Sequence, residues 1–152
     1  MEKNIITRKI QEDLKTAVKA RDKVRTSALR MLITSLKNAE LEEREELTQE
    51  QEIAVLGSYA RRCRESLSEF EKGGRDDLVA QGKAELEVVM SYLPEQLSEE
   101  DIRSEALKIV KDTGAEGPRD MGKVMGILMT RVKGKADGAA VRKVVSEILE
   151  RN

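Results

Sequence analysis

Apolar residues return every three or four positions through almost the whole chain, with Lys, Arg and Glu filling the intervals. Ile6, Ile10, Leu14 and Val18 are the first such set. A period near 3.6 puts them on one helical stripe, whereas a strand would need alternation at every second residue. Composition points the same way. Aromatic residues make up 2% of the 152 positions and there are two prolines, while the chain is rich in the straight-chain and alanine residues that favour helix. The expected fold class is all-α, with an N-terminal helical lobe over residues 1–94 and a small C-terminal three-helix lobe over 95–152.

The first helix is expected over residues 4–21 with Asn4 as its N-cap. A bend near Asp22 leads into a second stripe of Val24, Ala28, Met31, Leu32, Leu36 and Ala39. The acidic residues after Glu40 read as a connector over 41–47. Thr48 and Gln51 then form a capping box for a third helix bearing Ile53, Leu56, Ala60, Cys63, Leu67 and Phe70. Gly73 and Gly74 end that helix, and a fourth runs toward Pro94, which pushes its predecessor out of the α region. In the C-terminal lobe Ser98 and Asp101 make a second capping box, for a helix that ends at Gly114. Asp120 and Asp137 are the expected caps of the last two helices, carrying Val124, Leu128 and Val132, then Val141, Val144, Val145 and Ile148.

Several kinds of chemistry are excluded at this level. With 0 histidines and 1 cysteine the chain builds no Ser-His-Asp or Cys-His arrangement, no mixed Cys/His zinc site and no internal disulfide. No catalytic residue, metal or cofactor is assigned. Cys63 lies on an apolar stripe, so a small buried hydrophobe is favoured over a reactive thiol despite Arg61, Arg62 and Arg64 nearby. Apolar runs such as Gly126 to Met129 are far too short to cross a membrane, and no apolar signal core opens the chain. A soluble, cytoplasmic protein is the expectation.

The net charge of −1 conceals an uneven distribution. Residues 8–37 hold nine bases against three acids, and 40–52 hold seven acids against Arg44. Between Gly117 and Val145 seven bases, Arg119, Lys123, Arg131, Lys133, Lys135, Arg142 and Lys143, face only Asp120 and Asp137. A solvated face is the ordinary explanation of such residues, and it is preferred for the N-terminal stretch. The C-terminal set is different. Arg131, Lys133 and Lys135 are expected in a loop with Gly134 and Gly138, just before a helix N-terminus, and that combination suits a phosphate. Gly122 and Gly126 share one face of the preceding helix, where tight helix packing is the commoner reason for such a pair and close approach of a ligand the other. Met121, Met125 and Met129 at four-residue spacing read as core before binding groove.

The segments Asp120-Met-Gly-Lys-Val-Met-Gly-Ile-Leu-Met and Val132-Lys-Gly-Lys-Ala-Asp-Gly resemble the signature of the YqeY-like family, as do Ser66-Leu-Ser-Glu-Phe-Glu-Lys-Gly-Gly-Arg-Asp-Asp-Leu and Ser91-Tyr-Leu-Pro-Glu-Gln-Leu-Ser. The likeness spans essentially the whole chain. That family is similar to the helical and tail region of the B subunit of the glutamine-dependent amidotransferase acting on mischarged tRNA, whose tail grips tRNA. The resemblance implies a tRNA contact at Gly122, Gly126 and the Lys133-Gly134-Lys135 loop, although Asp137-Gly138 stands where amidotransferase tails tend to have Asn-Pro. It does not supply the ATP-using domain or the ammonia source, so turnover by this chain alone is not expected. Three readings remain open: an accessory tRNA-binding module, a protein-interaction module docking on tRNA-charging or amidotransferase machinery, and a subunit contributing to carbon-nitrogen ligation with glutamine as amide donor.

Overall fold

The computed structural model describes residues 2–150. Among them are seven α-helices and no strand, so the fold is all-α. The chain divides after Pro94 into two compact units.

The first unit holds α1 (Ile5–Lys19), α2 (Lys23–Glu43), α3 (Gln49–Lys72) and α4 (Asp76–Met90). α1 and α2 fold back on each other, and α2 and α3 both pack against α4. Ile10, Leu29, Leu32, Leu36, Leu56 and Val89 are buried together in the centre. Burying such side chains stabilises the unit by roughly 1.5–3 kcal/mol apiece. The turn after α1 is a full helix break. Arg21 takes a left-handed φ of 57°, and the Asp22 side chain accepts from the Arg25 N–H at 3.0 Å to cap α2. α2 also runs three residues into the expected connector, to Glu43, because Glu and Leu are good helix formers even where no apolar stripe continues.

Asn4 does not cap α1. It sits in the left-handed region at φ 54°, and its Oδ1 accepts from the Leu47 N–H at 3.0 Å. The cap comes instead from Glu52 on α3. Its Oε1 accepts from the Ile6 N–H at 3.2 Å, and its Oε2 accepts from the Thr7 N–H at 2.6 Å and the Thr7 hydroxyl at 2.7 Å. A carboxylate suits this position, since the first N–H groups of a helix lack internal partners and carry partial positive charge. The Thr48–Gln51 capping box forms as the sequence predicts.

The second unit holds α5 (Glu99–Thr113), a 3-10 turn (Pro118–Asp120), α6 (Met121–Val132) and α7 (Gly138–Glu150). All three helices pack on one another around Ile102, Ala106, Ile109, Val124, Leu128, Val141, Val144 and Val145. Ser98 and Asp101 cap α5 reciprocally, and Gly114 ends it in the left-handed conformation. Arg103 on α5 donates to Glu147 on α7 at 2.6 Å and lies 3.6 Å from Glu99. Asp120 departs from expectation. Its Oδ2 accepts from the Glu116 N–H at 2.9 Å, which holds the carboxyl below its ordinary range and ties the turn before α6 rather than capping the helix.

Candidate nucleic-acid interface

The C-terminal bases are distributed over α6, the loop that follows and the first half of α7. α6 buries Val124, Leu128 and Val132, which leaves Gly122, Lys123, Gly126 and Thr130 exposed. Arg131 belongs to the last turn of α6 rather than to the loop, where a cation favours the helix dipole. Its Nη1 lies 3.8 Å from Glu105 Oε2.

The loop has a fixed backbone. The Lys135 N–H donates to the Val132 carbonyl at 2.8 Å, and Gly134 takes a φ of 78° that only glycine adopts at little cost. Two bonds from the segment before α5 hold it from outside. The Leu97 N–H donates to the Lys135 carbonyl at 2.8 Å, and Gln96 Nε2 donates to the Gly134 carbonyl at 2.9 Å. Both lysine side chains are therefore exposed on an anchored scaffold. Gly138 opens α7, where a Cβ would make only ordinary contact with Met129. Arg142 and Lys143 are exposed further along that helix.

The glycine pair on α6 overturns the packing explanation. A Cβ built on Gly122 or Gly126 meets nothing within 4 Å, and both residues are exposed. The face they make is open. The methionines behave as core residues, with Met121, Met125 and Met129 half-buried against the second unit's apolar centre.

In the first unit Cys63 is half-buried rather than fully buried. With Tyr59, Arg62, Ser66, Phe70, Gly82 and Glu85 it lines a cavity of about 240 Å³. Burial, followed by the nearby Glu85 charge, pushes the thiol pKa up, the opposite of what a reactive cysteine needs. Burial likewise pushes the Tyr59 phenol up to about 12. Among the described residues no group of three His, Cys, Asp or Glu side chains could hold a metal ion, and no helix is long and apolar enough to cross a membrane.

Fold and surface together define a wholly helical protein of two compact units, the second of which presents bases beside an open glycine face. Comparison with known sequences places it more closely. The model of the family described as Yqey-like protein matches residues 7–149, and the chain belongs to that family. Relatives include the protein named altered inheritance of mitochondria protein 41, mitochondrial, from Pyrenophora tritici-repentis, 28% identical over 149 residues that cover 96% of this chain and 82% of the relative. Its namesakes from Candida glabrata and Kluyveromyces lactis are 28% and 26% identical, over 88% and 90% of this chain and 72% and 78% of theirs. These names overturn the cytoplasmic location expected from the sequence: the relatives are named as mitochondrial proteins.

Proposed function

We propose that the chain is an accessory tRNA-binding module that grips phosphate and ribose through its second unit. Lys123, Arg131, Lys133, Lys135, Arg142 and Lys143 provide the attraction, and Gly122, Gly126, Gly134 and Gly138 allow close backbone approach. The observation that carries the reading is the pairing of an anchored loop bearing exposed Lys133 and Lys135 with a helical face whose glycines have open space above them. A preformed loop loses little conformational freedom on binding. With 2% aromatic residues the chain has few stacking platforms, so recognition is by shape and charge rather than by base. Binding, not turnover, is the role assigned.

Salt titration of tRNA binding tests this. Neutralising about four phosphates gives a slope of log affinity against log salt of roughly −3. The Lys133→Glu/Lys135→Glu variant should bind more weakly with a flatter slope and retain its helical circular dichroism. Unchanged affinity and slope would remove the nucleic-acid reading of this unit.

A further inference from the structure

α2 packs against α1, α3 and α4, yet one of its faces remains uncovered. That face has an ordered pattern. Val24, Ser27, Met31, Thr34, Asn38 and Leu41 succeed one another at alternating steps of three and four residues, and all six are exposed and uncharged. This is the seam spacing with which one helix packs along another. Val24, Met31 and Leu41 are 49%, 53% and 75% exposed. On α5 the exposed positions are mostly charged, with Glu99, Glu100, Asp101, Lys108, Lys111 and Asp112 beside the uncharged Ser104 and Leu107. In a chain with 38% charged residues, six successive seam positions without charge call for a cause.

Lys23, Arg30 and Lys37 are exposed along one edge of the seam, seven residues apart, each immediately before a seam residue. Lys37 Nζ lies 3.6 Å from Glu40 Oε2 on the same helix, a solvent-screened pair of little strength, but the row does not complement the helix dipole. α2 has no acid in its first turn and no base in its last, and it carries Lys23 and Arg25 at its positive end and Glu42 and Glu43 at its negative end. Both ends of the seam open onto surface hollows. Val24 borders one of about 310 Å³ with Ala84, Glu87 and Ser91. Leu41 borders another of about 610 Å³ with Lys37, Glu40 and Arg44.

We propose that this face of α2 is the docking seam for a helix of another protein, one whose uncharged stripe is flanked by carboxylates at seven-residue intervals. Charge complementarity selects that occupant. A second copy of this chain fits poorly: antiparallel pairing sets the row of three bases against its own image, and parallel pairing sets it against Ala28, Ser35 and Glu42, of which Ala28 is buried. RNA would meet the bases but leave Val24, Met31 and Leu41 without apolar partners. The seam belongs to the first unit and is independent of the tRNA reading of the second.

The full chain is tested with a synthetic three-heptad helix carrying a Leu/Ala seam and Glu flanks, and with its Lys-flanked counterpart. Wild type should prefer the Glu-flanked peptide. Arg30→Glu/Lys37→Glu should weaken that binding by about tenfold and reverse the preference. The milder Arg30→Gln/Lys37→Gln should weaken it without reversal, at unchanged circular dichroism. Equal binding of the two peptides, or none, overturns the proposal. A photo-crosslinking residue in place of Thr34, in cells producing the full chain, supplies the second arm. The expected crosslink maps to a protein segment with acids seven residues apart. Crosslinks to RNA or to a second copy, or none above those of an exposed site on α5, overturn it.

Discussion

Glu52 has no exposed surface, and a carboxylate so placed is tolerable only because three donors, two of them backbone, converge on it. Removing it strands those donors. Glu52→Ala should therefore lower the free energy of urea unfolding by about 3 kcal/mol, and Glu52→Gln should fall between it and wild type because one side of an amide repels an N–H. A loss within about 0.5 kcal/mol for Glu52→Ala would mean that water replaces the carboxylate freely. The two tyrosines give a pH signature without interference from tryptophan, of which the chain has 0. Burial raises Tyr59 from 10.0 to about 12. Tyr92 is raised by burial and by donating its hydroxyl to Asp13 Oδ2 at 2.5 Å. A phenol whose folded pKa lies above its unfolded value stabilises the fold while both states are protonated. That contribution is complete below pH 10.0 and is lost as pH climbs toward about 12. Absorbance titration should find neither tyrosine ionising at its ordinary value, and unfolding should become easier across that window.

Among the helices, what could be read from sequence was whatever is decided within one turn. The boxes Thr48–Gln51 and Ser98–Asp101 join residues three apart, so the letters contain the whole interaction. Asn4 failed as a cap because its partner, the Leu47 N–H, lies 43 residues away, and no local pattern reports that. Asp120 failed because Glu116 takes its carboxylate from the other direction. Periodicity identified which side of α6 is buried, but it could not say whether a neighbour lies over Gly122 and Gly126. That depends on where α5 and α7 come to rest. The answer yields an unusual expectation for α6. With open space above both positions, Gly122→Ala/Gly126→Ala should raise stability by about 1–2 kcal/mol through helix propensity alone. If a ligand backbone approaches this face, the same pair should weaken tRNA binding while thermal unfolding moves upward. A stabilised variant with undiminished binding would show that the glycines serve no contact.

For the molecule as a whole, charge was the coarsest guide, since a total of −1 says nothing of where bases gather. The residues of the candidate interface could be named from the chain, but the anchoring of their loop could not, because Gln96 and Leu97 reach it from 38 positions away. Each unit has its own buried centre, so residues 95–152 produced alone should retain helical circular dichroism, with the marginal stability expected of so short a chain. A disordered fragment, under conditions where the full chain is folded, would show that the second core needs the first. The carboxylate of Glu52 has a further consequence, for a chain that is still being made. α1 is complete in sequence long before the residue that closes its first turn has been added, 46 positions after Ile6. Until the start of α3 leaves the ribosome, α1 has an open end, and α1 and α2 can form only a loose pair. The fold of the first unit is thus fastened from behind, by a residue of its third helix, so a stall in synthesis before Glu52 would leave an unsecured hairpin for chaperones or proteases to find.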